Sequence, residues 1–151
     1  MYQIKRTQII PSDLNTCWEF FMKPGCLEQI TPANVRVKTI SDVPERLFEG
    51  LIIEYRMQPL LRIPVRWVTE IKTVKYQSFF VDIQLRGPYR SWHHEHHFRE
   101  VEGGVEMTDL VSYAMPFGFI GEIMHRLIVR NKLEAIFDHR RSSIERIFGK
   151  A

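Results

Sequence analysis

Residues 90–98 read RSWHHEHHF and put four of the chain's six histidines at positions 93, 94, 96 and 97. Imidazole titrates near neutral pH and ligates metals. The cluster could therefore move protons, hold an ion or orient a ligand. Which of these is open depends on which histidines share a face. On a strand, side chains two apart point the same way. One face then carries Trp92, His94, His96 and Phe98; the other carries His93, Glu95, His97 and Arg99. The first set is framed by aromatics and is expected inside. The second is polar throughout and is expected in water.

Two neighbouring segments add chemistry. In VEMTDLVSYAM, one face takes Met107, Asp109, Val111 and Tyr113, a buried-type set with one carboxylate. In SFFVDIQLR the faces conflict. Phe80, Asp82 and Gln84 oppose Phe79, Val81, Ile83 and Leu85, and alternation alone would bury the wholly apolar set.

The elements that must position these residues follow from periodicity. YQIKRTQII reads as a strand of about eight residues. PSDLNTCWEFFM reads as a helix capped by Ser12 or Asp13, with Leu14, Trp18, Phe21 and Met22 as its apolar stripe. KPGCLEQITP is a turn with one short helical piece. A period of two then gives strands in NVRVKTIS, LIIEYRMQPLL, IPVRWVTEIKTVK, SFFVDIQLR, RSWHHEHHFREV and VEMTDLVSYAM. Their short connections predict an antiparallel meander. From Phe119 to Ile147 the pattern predicts one helix of about eight turns. The plan is α+β, and the last helix alone is long enough to cover a curved sheet. Space left between the two would form a pocket for an apolar molecule.

The totals exclude several classes. The 151 residues suit a single domain, 1–151. Hydrophobic residues make up 44% and charged residues 26%, with a net charge of +3 and a pI near 9.0. That bias is weak, and no basic stripe is interleaved with aromatics, so no nucleic-acid partner is expected. Cys17 and Cys26 form no CxxC pattern; free thiols and a cytoplasmic setting are expected. There is no secretory h-region, and no apolar run approaches the roughly eighteen residues of a membrane span.

The strings FVDIQLRGPYRSWHHEHHF and GGVEMTDLVSYAMPFG resemble the START-like (SRPBCC) superfamily, and within it small bacterial proteins of the polyketide cyclase/dehydrase-like kind. The resemblance covers Tyr2 to about Phe148. It implies a helix-grip (START/Bet v 1-like) fold, with a seven-stranded antiparallel sheet wrapped around a long C-terminal helix. It also implies that Asp82, Gln84, Trp92, His94, His96 and Asp109 recur together as a motif, which is simplest if they converge on one cavity wall. Phe79, Val81, Ile83 and Leu85 would then pack on the convex face, under the N-terminal helices or at a homodimer contact. MPFGFIGE would serve as an entrance gate; alternatively its proline and glycines only end a strand.

Four readings of the polar set remain. It could be a self-satisfied hydrogen-bonded ladder. It could orient a hydrophobic ligand (lipid, sterol or polyketide-like) bound with Tyr55, Trp67, Phe98 and Tyr113 around it. It could be the acid–base centre of a cofactor-independent cyclase or dehydratase, with His94 or His96 moving a proton beside Asp109. It could be a metal site with Asp109 as third ligand; no further histidine motif completes it, and neither metal nor cofactor is expected. Tyr55 and Trp67 read as either core or pocket lining, Cys17 as core, and His125 and His139 as surface residues.

Overall fold

The structure, a computed structural model, describes residues 1–59 and 62–151. Its strands are β1 Tyr2–Ile10, β2 Lys38–Thr39, β3 Ile52–Met57, β4 Val65–Lys75, β5 Phe79–Arg86, β6 Ser91–Val101 and β7 Gly104–Ala114. All pair antiparallel in one sheet, in the order β1-β7-β6-β5-β4-β3-β2. Helices α1 Leu14–Phe21 and α2 Cys26–Ile30 follow the first strand. At the other end α3 Gly118–Met124 and α4 Arg130–Phe148 run on through a π-helical turn, His125–Val129. The architecture is α+β and helix-grip: one seven-stranded sheet around a long C-terminal helix. Among the described residues, no helix is long and apolar enough to cross a membrane.

The sheet curves because β4 and β5 pair out of step. Their register slips between Val68 and Thr69 and again between Ile71 and Thr73. Each extra residue bends its strand and adds twist. The bend lets α4 lie in the concave side, where Leu133, Phe137, Arg140 and Ile144 are buried. These four follow the spacing of one helix face.

The N-terminal helices close one end. Asp13 caps α1 by accepting from the Thr16 amide (2.8 Å) and hydroxyl (2.7 Å). Trp18, fully buried on α1, meets Phe80 and Phe98 edge-on. Since Phe80 and Phe98 belong to the concave face, α1 packs there. The convex-face set expected beneath it is not covered by α1: Phe79 lies against His97 on its own sheet face, and Leu85 is exposed.

Three further expectations change. The strand expected over residues 34–41 shrinks to Lys38–Thr39, because Ala33–Val35 form a 3-10 turn closed by Arg36 at φ 54°. The strand expected over 51–61 spans Ile52–Met57; Leu60 and Leu61 lie outside the described residues. His125, expected at the surface, is buried. The π turn holds one extra residue and shifts the helix phase, which turns His125 onto Tyr2 (ring stack, 3.5 Å) and the Tyr113 hydroxyl (2.7 Å). His139 is half-buried and Cys17 is core, fully buried.

Candidate functional site

The strand pairing brings the polar residues together. Asp82 on β5 lies opposite His94 on β6, and His96 lies opposite Asp109 on β7. Residues directly opposite in a sheet share a face, so all four point to the concave side. Their strongest bonds run diagonally. His94 Nε2 donates to Asp109 Oδ1 at 2.8 Å, and His96 Nε2 donates to Asp82 Oδ2 at 2.6 Å. His96 Nδ1 also lies 3.3 Å from Asp109 Oδ1, and His94 Nδ1 lies 3.9 Å from Asp82 Oδ2. The imidazoles stack at 3.7 Å, and His96 stacks on Phe80 at 4.0 Å.

Sequence reasoning missed Arg140. Its guanidinium clamps Asp109 with two bonds, Nε to Oδ2 at 3.0 Å and Nη2 to Oδ1 at 3.1 Å. This planar fork is the geometry that suits a carboxylate. The signal was legible: Leu133, Phe137, Arg140 and Ile144 share one helical face, and only Arg140 is polar.

Charge balance explains the titration of the cluster. Burial raises the cost of an ionised Asp109, but Arg140, His94 and His96 overcome it and hold the carboxyl well below its ordinary range. Burial also opposes ionised Asp82, and His96 and His94 more than offset it. The histidines split. Burial and the charge of His96 push His94 down despite its bond to Asp109. For His96 burial acts downward too, but bonds to Asp109 and Asp82 win, and its pKa rises. Two carboxylates, one guanidinium and one imidazolium sum to zero, so one proton on the pair neutralises the cluster.

Beside this cluster lies a cavity of about 180 Å³. Of the residues singled out from sequence, Tyr55, Trp67, Asp82, Trp92, His94 and His96 line it. Its walls are otherwise mostly apolar, with Ile53 and Ile71 from the sheet and Phe137 from α4 among them. Trp67 meets Trp92 edge-on at 5.2 Å. Tyr89 and Arg140 also line it and were not foreseen as lining.

The other four residues sit elsewhere. Gln84 staples the turn after β5: its Nε2 donates to the Tyr89 carbonyl (2.8 Å), and its Oε1 accepts from the Tyr89 amide (3.2 Å). Phe98 packs under Trp18 and Phe21 at the closed end. Asp109 stands behind the histidines, away from the lining. Tyr113 bonds His125. Among the described residues, none of Pro116–Glu122 lines the cavity; the exposed Lys23 does, near α2. At the helix start Gly121 lies so close to the Pro116 carbonyl that a Cβ would sit 1.8 Å from its oxygen, which makes glycine a packing requirement there.

The sequence matches no protein-family model and no curated protein. Solved structures with the same fold exist. A protein from Chromobacterium violaceum superposes with a TM-score of 0.73 at 7% identity, over 99% of this chain and 98% of that one. The major latex-like protein 151 of Panax ginseng gives 0.70 at 14% identity, over 97% of each chain. A nucleoside-diphosphate sugar epimerase from Corynebacterium glutamicum gives 0.67 at 21% identity, over 93% of this chain but 28% of the other. The fold is thus that of the START/SRPBCC-like and Bet v 1-like proteins.

Proposed function

We propose that the chain acts as a single ligand-binding domain, residues 1–151, whose cavity takes a hydrophobic small molecule. The observation that carries this is a mostly apolar, aromatic-walled cavity into which one contiguous polar cluster, Asp82, His94, His96 and Arg140, opens. Such a site orients a ligand that has one polar end. The volume narrows the ligand class. An apolar void of about 150 Å³ accepts a benzene, and pockets for drug-sized ligands run to about 300–1,000 Å³. A ring compound or short acyl chain of low polarity suits about 180 Å³ better than a sterol does.

Trp67 and Trp92 make the test direct. Titration with bicyclic aromatic acids and medium-chain fatty acids should change tryptophan fluorescence saturably. Ile53→Phe, which fills the cavity, should weaken that binding at least about tenfold. A response that never saturates, or one untouched by the filling variant, would count against the proposal.

A second reading is supported by the backing of the histidines. Asp109 orients His94, as a general base requires, while both rings reach the cavity. A cyclase or dehydratase would then use His94 or His96 as its proton-transfer group, positioned by Asp109. It is told apart by turnover of a polyketide-like substrate that falls in His94→Ala or His96→Ala while affinity holds.

A further inference from the structure

The two histidines are held from behind in a way that leaves two nitrogens facing forward. His94 gives its Nε2 hydrogen to Asp109 Oδ1, so its Nδ1 carries a lone pair. His96 turns Nδ1 to the same oxygen at 3.3 Å, and its Nε2 points at Asp82. His94 Nδ1 lies 3.9 Å and His96 Nε2 2.6 Å from the same Asp82 oxygen, Oδ2, and one donor atom from each of the three residues lies within 4.8 Å of the others. All three residues line the cavity, whereas Asp109 does not.

We propose that Asp82, His94 and His96 bind one divalent first-row transition ion of the zinc type. Two imidazoles and a carboxylate form a ligand set typical of such ions, and three protein ligands leave further positions open. The arrangement behind them also fits. Metal-bound histidines usually give their other N–H to a carboxylate, which fixes the tautomer and ring direction. Asp109 does this for His94 and faces the corresponding nitrogen of His96. The sequence pattern suggested Asp109 as the third ligand; the geometry assigns that role to Asp82 and puts Asp109 behind the pair.

The nearest cation does not oppose the ion. Arg140 makes a long contact of 3.5 Å to His96 Nδ1, but its two shorter bonds, 3.0 and 3.1 Å, go to the Asp109 carboxylate, which cancels its charge locally. The ion would displace the proton shared by His96 Nε2 and Asp82 Oδ2, so binding releases a proton and strengthens as pH rises. The open position faces the apolar cavity. There it would take the oxygen or nitrogen head of the bound molecule, a point that rests on the ligand-binding reading above.

The same strand supplies an internal control. On its outer face His97 bonds Glu95 at 2.9 Å, and His93 lies 3.7 Å from Glu95. This outer trio could also catch an ion. The test is titration of chelator-treated, dialysed protein with Co²⁺ alone, followed by Zn²⁺ competition, with no organic compound present. Expected are one tight ion per chain, visible absorption of a four- or five-coordinate nitrogen/oxygen site, and no change in the His93→Ala/His97→Ala double variant. His94→Ala should abolish the site, and Asp109→Asn should weaken it about 10–100-fold. Should those variants misfold, wild-type ¹⁵N spectra decide: Zn²⁺ must move His94 Nδ1 and His96 Nε2 together. Binding weaker than millimolar, or binding lost with the outer pair, would overturn the assignment. Neither result bears on whether the cavity takes an apolar molecule, because that is read separately by tryptophan fluorescence.

Discussion

Arg140 on the C-terminal helix grips Asp109 on β7 through two parallel bonds of 3.0 and 3.1 Å, both residues being buried. This pair joins the helix to the sheet and fixes the carboxylate on which His94 leans. Removing only the cation strands a buried charge, which costs about 3–5 kcal/mol. Arg140→Met should therefore lower the denaturant midpoint sharply. The double variant Arg140→Met/Asp109→Leu should recover part of the loss, since no charge is left unpaired. Urea unfolding of the three proteins checks the order.

Gln84 should behave as a turn staple. Both of its amide bonds go to the Tyr89 backbone. Gln84→Ala should cost about 1–2 kcal/mol. A Cβ on Gly87 would stand 2.4 Å from Gln84 Oε1, so Gly87→Ala should expel the same amide. The two changes disturb one interaction and should combine less than additively in a double-mutant cycle.

The thiols should be inert. Burial pushes both Cys17 and Cys26 up to about 12. The thiolate is the reactive form. Alkylation at pH 8 should be very slow in the folded protein and rapid in urea, as read by mass.

His125 should resist protonation. Burial, and then the charge of Arg130, hold its pKa below the ordinary 6.5. The Tyr2 ring and Tyr113 hydroxyl that face it supply no negative charge to reverse this. Above 6.5 the folded and unfolded states are both neutral here. As pH falls through 6.5, the unfolded chain binds its proton first, and stability drops. The ring-proton NMR midpoint should lie below 6.5. His125→Gln should lose less stability than wild type between pH 7 and 5.

Much of this was readable along the chain. Period-two alternation separated His94 and His96 from His93 and His97, and the structure keeps that split: the first pair is buried and the second half-exposed. The resemblance, rather than alternation, was needed to turn Asp82 inward, because Val81 and Ile83 are the more apolar set. Two kinds of fact were out of reach. The π turn that buries His125 depends on tertiary packing against Tyr2 and Tyr113, and no spacing rule announces it. Cavity lining depends on sheet curvature, which arises from the slips beside Val68 and Ile71. That is why Phe98 and Tyr113, although on the concave face, pack at its ends instead. Arg140 was legible and overlooked: a lone arginine in phase with Leu133, Phe137 and Ile144 marks a buried charge that needs a carboxylate.

The central claim is that the cavity holds an apolar molecule. Native mass spectrometry of the protein as purified, before and after denaturing extraction, tests it most directly. The account predicts a small apolar adduct, either co-purified or gained from a panel of ring compounds and fatty acids, and reduced in Ile53→Phe. A bare chain mass that no member of the panel shifts would contradict it.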